Sequence, residues 1–391
     1  MTRLKILEIT DLCTACGSCV NICGSSSLQL RADTEGFLMP VVNMDTCSDC
    51  GLCEKACPVF VDKEKVDLAG IEGYAGWSRD KQLVAKSSSG GFFSVLSTSV
   101  LDDSGVVFGA RYDYKKKRLE QCHTDDFDLS AFRQSKYFES NTLEAFSAVR
   151  KFLKQNRWVL YCGTPCQVLG LKRFLEVLHI DTGHLILVDF ICHGVLSNDH
   201  FSQYIRTIEE KLKSELVSID FCSKKSGWSG NMMSVKYVAA NGKLQRSRAF
   251  LEDPFYMAFL DGLLLRRSCY ACEAIHYHGS DLTIGDFVGR KGVVDDDDTG
   301  ISLMIANSEK GKAIVEELRK DSNVYLKNLD KSQYEYAYKR NKAEYSLELR
   351  AQMLRAVQQN GFASALDQRY ARRIRQYRVK QAIKKLIRYK S

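Results

Sequence analysis

No stretch of this sequence approaches the ~20 consecutive apolar residues that a membrane-crossing helix needs. Residues 1 to 10 lack the apolar core of a secretory signal, so a cytoplasmic protein is expected. No general acid or nucleophile stands out by spacing. No nucleic-acid recognition motif accompanies the positive charge, and nucleic acid is not expected as a partner. Acidic residues are missing from the last 23 positions: residues 369 to 391 hold ten Lys or Arg and no Asp or Glu. The whole chain carries a net charge of only +8, so residues 1 to 368 are slightly acidic and the basicity belongs to the tail.

Cysteine, by contrast, is plentiful. The 391 residues include 15 cysteines, eight of them before position 58. Disulfides are rare in a reducing compartment, so spaced cysteines there are read as metal ligands or catalytic groups. Cys13, Cys16, Cys19 and Cys23 are spaced C-x2-C-x2-C-x3-C. Cys47, Cys50, Cys53 and Cys57 repeat the spacing, with Pro58 next. This duplication is the pattern of bacterial two-cluster ferredoxins. Three thiolates on one tight loop grip three irons of a cubane. The fourth cysteine is expected to begin a short helix pointing the other way and to reach the second cluster. The expected sets are Cys13, Cys16, Cys19 and Cys57 on one 4Fe–4S cluster, and Cys47, Cys50, Cys53 and Cys23 on the other. Structural zinc sites use two C-x2-C pairs instead. Gly24 stands where a proline usually follows the fourth cysteine, which softens the loop without removing a ligand.

Residues 61 to 72 are polar, without a strong period, and are read as a linker. Apolar runs and helical stretches then alternate. Strands are expected at Gly105 to Tyr112, Trp158 to Cys162 and His184 to Ile191, with further strands at Met233 to Ala240 and Leu282 to Gly285. Helices are expected at Val168 to Leu175 and at residues 309 to 320. The fold class is α+β or α/β: a small ferredoxin-like domain with two clusters (1–62), a larger α/β domain (73–325) and a helical basic C-terminal extension (326–391).

A second cysteine set lies downstream. Cys166 and Cys192 each follow a buried strand, and ligands of open α/β sheets bind at the carboxyl ends of strands. Cys269 and Cys272 form a C-x2-C pair on a loop. These four could hold a third cubane, or serve as small apolar fillers. Cys122, Cys162 and Cys222 are read as fillers.

Six segments, in this order, resemble the beta-subunit family of coenzyme F420 hydrogenases and dehydrogenases. They are Ser87 to Phe93, Phe132 to Tyr137, Gly163 to Gln167, Val188 to Gly194, Arg267 to Cys272 and Asp281 to Phe287. The resemblance covers roughly residues 10 to 320. It implies an FAD-binding α/β domain with its own 4Fe–4S cluster on Cys166, Cys192, Cys269 and Cys272. Two positions depart from the family pattern: Val288 replaces a frequent tryptophan, and Gln134 replaces a usual glycine.

The resemblance also implies a flavin site. Ser88, Ser89, Gly90 and Gly91 precede a helical stretch, and such a start offers backbone N–H groups to a pyrophosphate. Arg133, Ser135 and Lys136 supply donors and positive charge toward a flavin, and Lys136 is a candidate catalytic group. Thr164 is a further candidate contact. Asp286 either binds a ribose or flavin hydroxyl or caps a turn. His193 either manages a proton near the cluster as a catalytic residue or is structural.

The expected function is an iron–sulfur flavoprotein oxidoreductase working between a hydride donor or acceptor, coenzyme F420 or another, and a redox partner protein or small redox substrate. A flavin-free electron-transfer subunit and a scaffold with structural clusters are the alternatives. In the tail, Val379, Ala382, Ile383, Leu386 and Ile387 fall at helical spacing among Lys and Arg. This basic amphipathic pattern suits peripheral contact with an anionic membrane or an acidic partner, or a solvated terminal helix.

Overall fold

The computed structural model describes residues 4–60, 70–142, 144–224, 227–228, 234–246, 249–277, 279–287, 293–294, 298–338 and 346–388. Most of the linker and Val288 therefore lie outside the described residues. In chain order the strands are β1 (Leu28–Ala32), β2 (Leu38–Val42), β3 (Glu72–Ser78), β4 (Val106–Asp113), β5 (Arg118–Thr124), β6 (Val159–Gly163) and β7 (Leu185–Phe190). Then come β8 (Leu216–Ser223), β9 (Ser234–Ala239), β10 (Leu244–Arg246), β11 (Leu282–Asp286), β12 (Ser302–Ala306) and β13 (Val324–Leu329).

Among the described residues the main sheet has eight strands in the order β13-β3-β12-β11-β7-β6-β4-β5. Its centre is parallel: β4 with β6, β6 with β7, and β7 with β11. Antiparallel strands complete both flanks. The central strands are largely apolar because helices cover both faces. On one face Phe108, Val159 and Tyr161 pack with Phe146, Leu171 and Phe174 of the helices Ala145–Lys154 and Pro165–Val177. On the other, Val107, Leu160 and Val188 pack with Phe92, Leu96 and Val315 of the helices Phe92–Asp102 and Glu309–Lys320. The expected strands and helices of the central domain thus form, in a mixed sheet. Strand β13 runs through positions 325 and 326, so the sheet continues beyond the expected end of the α/β domain. A separate antiparallel sheet, β10-β9-β8, packs its inner residues Phe221, Val235 and Tyr237 into a third core.

The N-terminal module is built from the hairpin β1–β2 and two short helices, Ser18–Ile22 and Leu52–Lys55. The duplication extends to the backbone. Ala15 and Asp49 occupy equivalent positions and share φ near +50°, and Gly17 and Gly51 both have positive φ. The fourth cysteines, Cys23 and Cys57, come at the ends of these helices and do not begin them. The crossing between the two loops is the same.

The module is firmly seated on the large domain. Thr142 Oγ1 donates to Cys16 O at 2.9 Å, and Ser197 Oγ donates to Gly36 O at 2.7 Å. A Cβ on Gly17 would stand 2.0 Å from Thr142 Oγ1, so glycine is required there for close approach as well as for φ. From the C-terminal region, Arg350 pairs with Glu35 on the β1–β2 turn and donates to Leu265 O. The helix Phe362–Arg388 buries Phe362, Leu366 and Tyr370 against the domain. Further along, Arg373 pairs with Asp261 and Arg378 with Glu252. Val379 and Ile383 are exposed. The side chains of Leu386 and Ile387 lie outside the described residues. Among the described residues no helix is long and apolar enough to cross a membrane.

Candidate redox site

The twelve cysteines of the two sets surround three separate cavities. Cys13, Cys16, Cys19 and Cys57 line one of about 360 Å³, and Cys23, Cys47, Cys50 and Cys53 line another of about 350 Å³. Near-equal volumes follow from the duplicated loops, and the grouping is the crossed one expected for shared cubanes. Among the described residues no three Cys, His, Asp or Glu side chains form a site for a single metal ion. The thiols instead ring open spaces, as a four-iron cluster requires.

Cys166, Cys192, Cys269 and Cys272 line the third cavity, of about 570 Å³. Their convergence has a topological cause. Strands β6 and β7 are parallel neighbours, so Cys166 and Cys192 leave the same sheet edge. Thr164 caps the helix Pro165–Val177 through a capping box with Gln167, and its hydroxyl lies 3.1 Å from Cys166 Sγ. Cys269 stands in the short helix Arg267–Tyr270, which corrects the expected loop, and Cys272 follows it. Burial pushes the Cys166 thiol up to about 11 and that of Cys269 to about 12, and the nearby Cys272 thiol adds to both. Arg266 Nε and Ser268 Oγ, in residues that line this cavity, are buried and have no hydrogen-bond partner among the described residues. Four clustered thiols and two unmatched donors fit an iron–sulfur centre, whose sulfurs accept hydrogen bonds and whose irons hold thiolates.

A larger cavity of about 1230 Å³, counted out to its mouth, adjoins the third one. Thr164, Gln167, Cys192, Gly194 and Val195 border both. Its walls include Phe92, Phe93, Phe132, Phe138, Phe259 and Ile284. The helix Phe92–Asp102 begins at this cavity from Gly91, with φ +93° and no side-chain cap, and Gly91, Phe92 and Phe93 line the space. Ser88, Ser89, Arg133, Ser135, Lys136, His193 and Asp286 all line the cavity. Gly90 itself is committed to structure: its N–H donates to Ser302 Oγ at 2.8 Å, and a Cβ would meet Gly76 O at 2.4 Å. Arg133 Nε donates to Ser94 Oγ, and Ser135 N donates to Ser88 Oγ. Lys136 Nζ donates to the carbonyls of Phe132, Arg133 and Gln134 at 2.8 to 3.2 Å, and burial lowers its pKa to about 8. All three ammonium protons thus hold the 132–134 loop. Gln134 adopts φ +68°, the conformation for which glycine is the usual residue, and donates to Asp220. Asp286 is exposed on the cavity wall, and desolvation by the protein around it pushes its carboxyl up to about 6 against the pull of Ser89 and Lys224.

Sequence reasoning missed Gln121, which lines this cavity and whose buried Oε1 has no partner among the described residues, and Glu139 and Arg266 beside the third. Cys162, read as a filler, lies on the cavity wall, while Cys222 belongs to a hydrophobic core.

Residues 156–332 match the family model that describes the C terminus of the coenzyme F420 hydrogenase/dehydrogenase beta subunit. Residues 12–61 match that of the 4Fe–4S dicluster domain. The domain at residues 156–332 belongs to this beta-subunit family. Its dicluster domain is similar to Ferredoxin-1 of Caulobacter vibrioides, 42% identical over 53 residues, or 13% of this chain and 42% of that protein. It is also similar to the ferredoxin-type protein NapF of Haemophilus influenzae, 34% identical over 44 residues, or 11% of this chain and 25% of that protein. The chain therefore spans under half the length of these curated relatives. A chain in a solved structure of the F420-reducing NiFe hydrogenase complex from Methanosarcina barkeri aligns with a TM-score of 0.49 at 15% identity, over 76% of this chain and 95% of that one.

Proposed function

We propose that this beta-subunit relative is an iron–sulfur flavoprotein oxidoreductase that exchanges electrons between a hydride donor or acceptor and a redox partner. The observation that carries the reading is the run of three adjoining spaces, with the Cys47 cavity in the same module as the last of them. The apolar cavity shares its border residues with the Cys166 cavity, and Thr14 and Ala15 line both the Cys166 cavity and the Cys13 cavity. Cys53 of the Cys47 set packs in one hydrophobic cluster with Cys19 and Cys57 of the Cys13 set. When bound, FAD supplies the exchange between a hydride and single electrons, and 4Fe–4S clusters carry single electrons.

The chain's own residues divide the work. The free N–H groups at Phe92 and Phe93, with Ser88 and Ser89, receive the pyrophosphate. Arg133 and Lys136 bring positive charge, and Gln121 offers an acceptor to a ring N–H. The phenylalanine walls exclude water. Thr164 orients Cys166, and the twelve cysteines hold three clusters, with Cys166, Cys192, Cys269 and Cys272 on the inner one. His193, at the exposed mouth, is placed to manage a proton. Coenzyme F420 or another reduced cofactor enters at this mouth. Functionally the chain divides into the ferredoxin module, a central domain that extends through β13, and a C-terminal segment that clamps the module through Arg350 and Glu35. The exposed basic part of the terminal helix makes peripheral contact with an anionic membrane surface.

Anaerobic purification followed by quantification of released flavin tests the reading. Near-stoichiometric FAD supports the oxidoreductase. No flavin, even after incubation with FAD, leaves a flavin-free electron-transfer subunit.

A further inference from the structure

Arg266 is 3% exposed and lies where the ferredoxin module meets the inner cysteine set. Its backbone belongs to the inner site: its N–H donates to Val195 O, and its carbonyl accepts from Cys269 N, both at 2.9 Å. Its side chain belongs to the module. One terminal nitrogen donates to Leu38 O at 3.0 Å and pairs with Glu139. The other lies 3.4 Å from Cys13 O and 3.5 Å from Met39 Sδ. The guanidinium carbon sits 5.0 Å from the ring centroid of Phe37. Nε is left over, buried and without a partner among the described residues, in a residue that lines the inner cavity. Ser268 Oγ is the second unmatched donor there.

An interface ion pair needs none of this. A buried Arg–carboxylate pair with every donor matched would serve docking, whereas an unmatched buried N–H costs stability. The leftover donor points to an acceptor inside the cavity. Reduction adds a negative charge to an iron–sulfur cluster, and both net charge and hydrogen bonds to its sulfurs set its potential.

We propose that Arg266 sets the reduction potentials of two neighbouring clusters, donating through Nε to the inner one and lending its charge to both, with Glu139 tempering that charge. The proposal rests on the inner cluster of the proposed function. Arg266 is a positioning and tuning residue. It lies between Cys13 and Cys269, the ligands of successive stations, so one side chain keeps the two potentials matched.

The test is a redox titration followed by electron paramagnetic resonance on anaerobically reconstituted full-length protein, with iron counted per chain. Arg266→Gln is expected to shift the inner cluster about tenfold toward its oxidised form at fixed potential, equal to 59 mV for a one-electron couple. The Cys13 cluster moves the same way by less, and the Cys47 cluster stays put as the internal control. Glu139→Gln moves the first two in the opposite direction. Ser268→Ala lowers the inner cluster alone. If Arg266→Gln fails to fold, Glu139→Gln and Ser268→Ala decide by themselves. About twelve irons per chain with unmoved potentials, or with all three clusters moving equally, overturns this proposal and leaves the cluster assignment standing. About eight irons per wild-type chain overturns both.

Discussion

Cys16 of the ferredoxin module packs against Gly170 of the large domain: a Cβ on Gly170 would stand 2.8 Å from the Cys16 sulfur. Gly170 lies one turn along the helix that begins beside Cys166. A single helix therefore supports ligands of two cysteine sets, and its missing side chain sets their separation.

Gly170→Ala should overpack this contact. The expected cost is about 1–3 kcal/mol, because Cys16 is held by its own loop and cannot swing away. Denaturant unfolding measures the loss, and iron analysis should show incomplete loading of the Cys13 set. Unchanged stability and iron content would mean that the module shifts freely on its support.

Asp286 yields a pH dependence with a defined sign. Desolvation raises its folded pKa to about 6, above the ~3.9 of an unfolded aspartate. The folded chain thus holds more protons between these values, and the Asp286 contribution to stability falls as pH rises from about 4 to about 6. Near the same cavity wall, an ionised Asp286 repels a pyrophosphate. FAD affinity should weaken as pH rises through 6, and Asp286→Asn should flatten the profile. Isothermal titration at pH 5 to 8 checks both; an identical profile in the variant would remove Asp286 from the site.

The terminal helix offers a charge test. Reversing Lys380, Lys384 and Lys385 to Glu leaves the buried anchors Phe362, Leu366 and Tyr370 in place. Binding to phosphatidylserine vesicles should drop by about tenfold or more at low salt. Equal binding by wild type and variant would assign the tail another role.

The candidate sites were unevenly legible in the sequence. The ferredoxin ligands could be read because each set is local, and its spacing is the geometry. Cys166 and Cys192 could be read because each ends an apolar run, and a parallel sheet brings such ends together. Arg266 could not: its partners Leu38 and Glu139 are more than 100 residues away, and an arginine beside another arginine resembles surface charge. Gln121 was equally silent, since β5 is a partly polar edge strand. The three-stranded sheet β10-β9-β8 showed only its middle strand, because β8 alternates irregularly and bulges against β9.

In the proposed function the inner cysteine set connects the large cavity to the ferredoxin module. The direct measurement is reduction of bound FAD by light and EDTA under anaerobic conditions, with electron paramagnetic resonance of the ferredoxin clusters as the readout, in wild type and Cys269→Ala. Reduced ferredoxin signals in wild type, and their absence in a variant whose flavin still bleaches, is the predicted result. Equal signals in both proteins would contradict it.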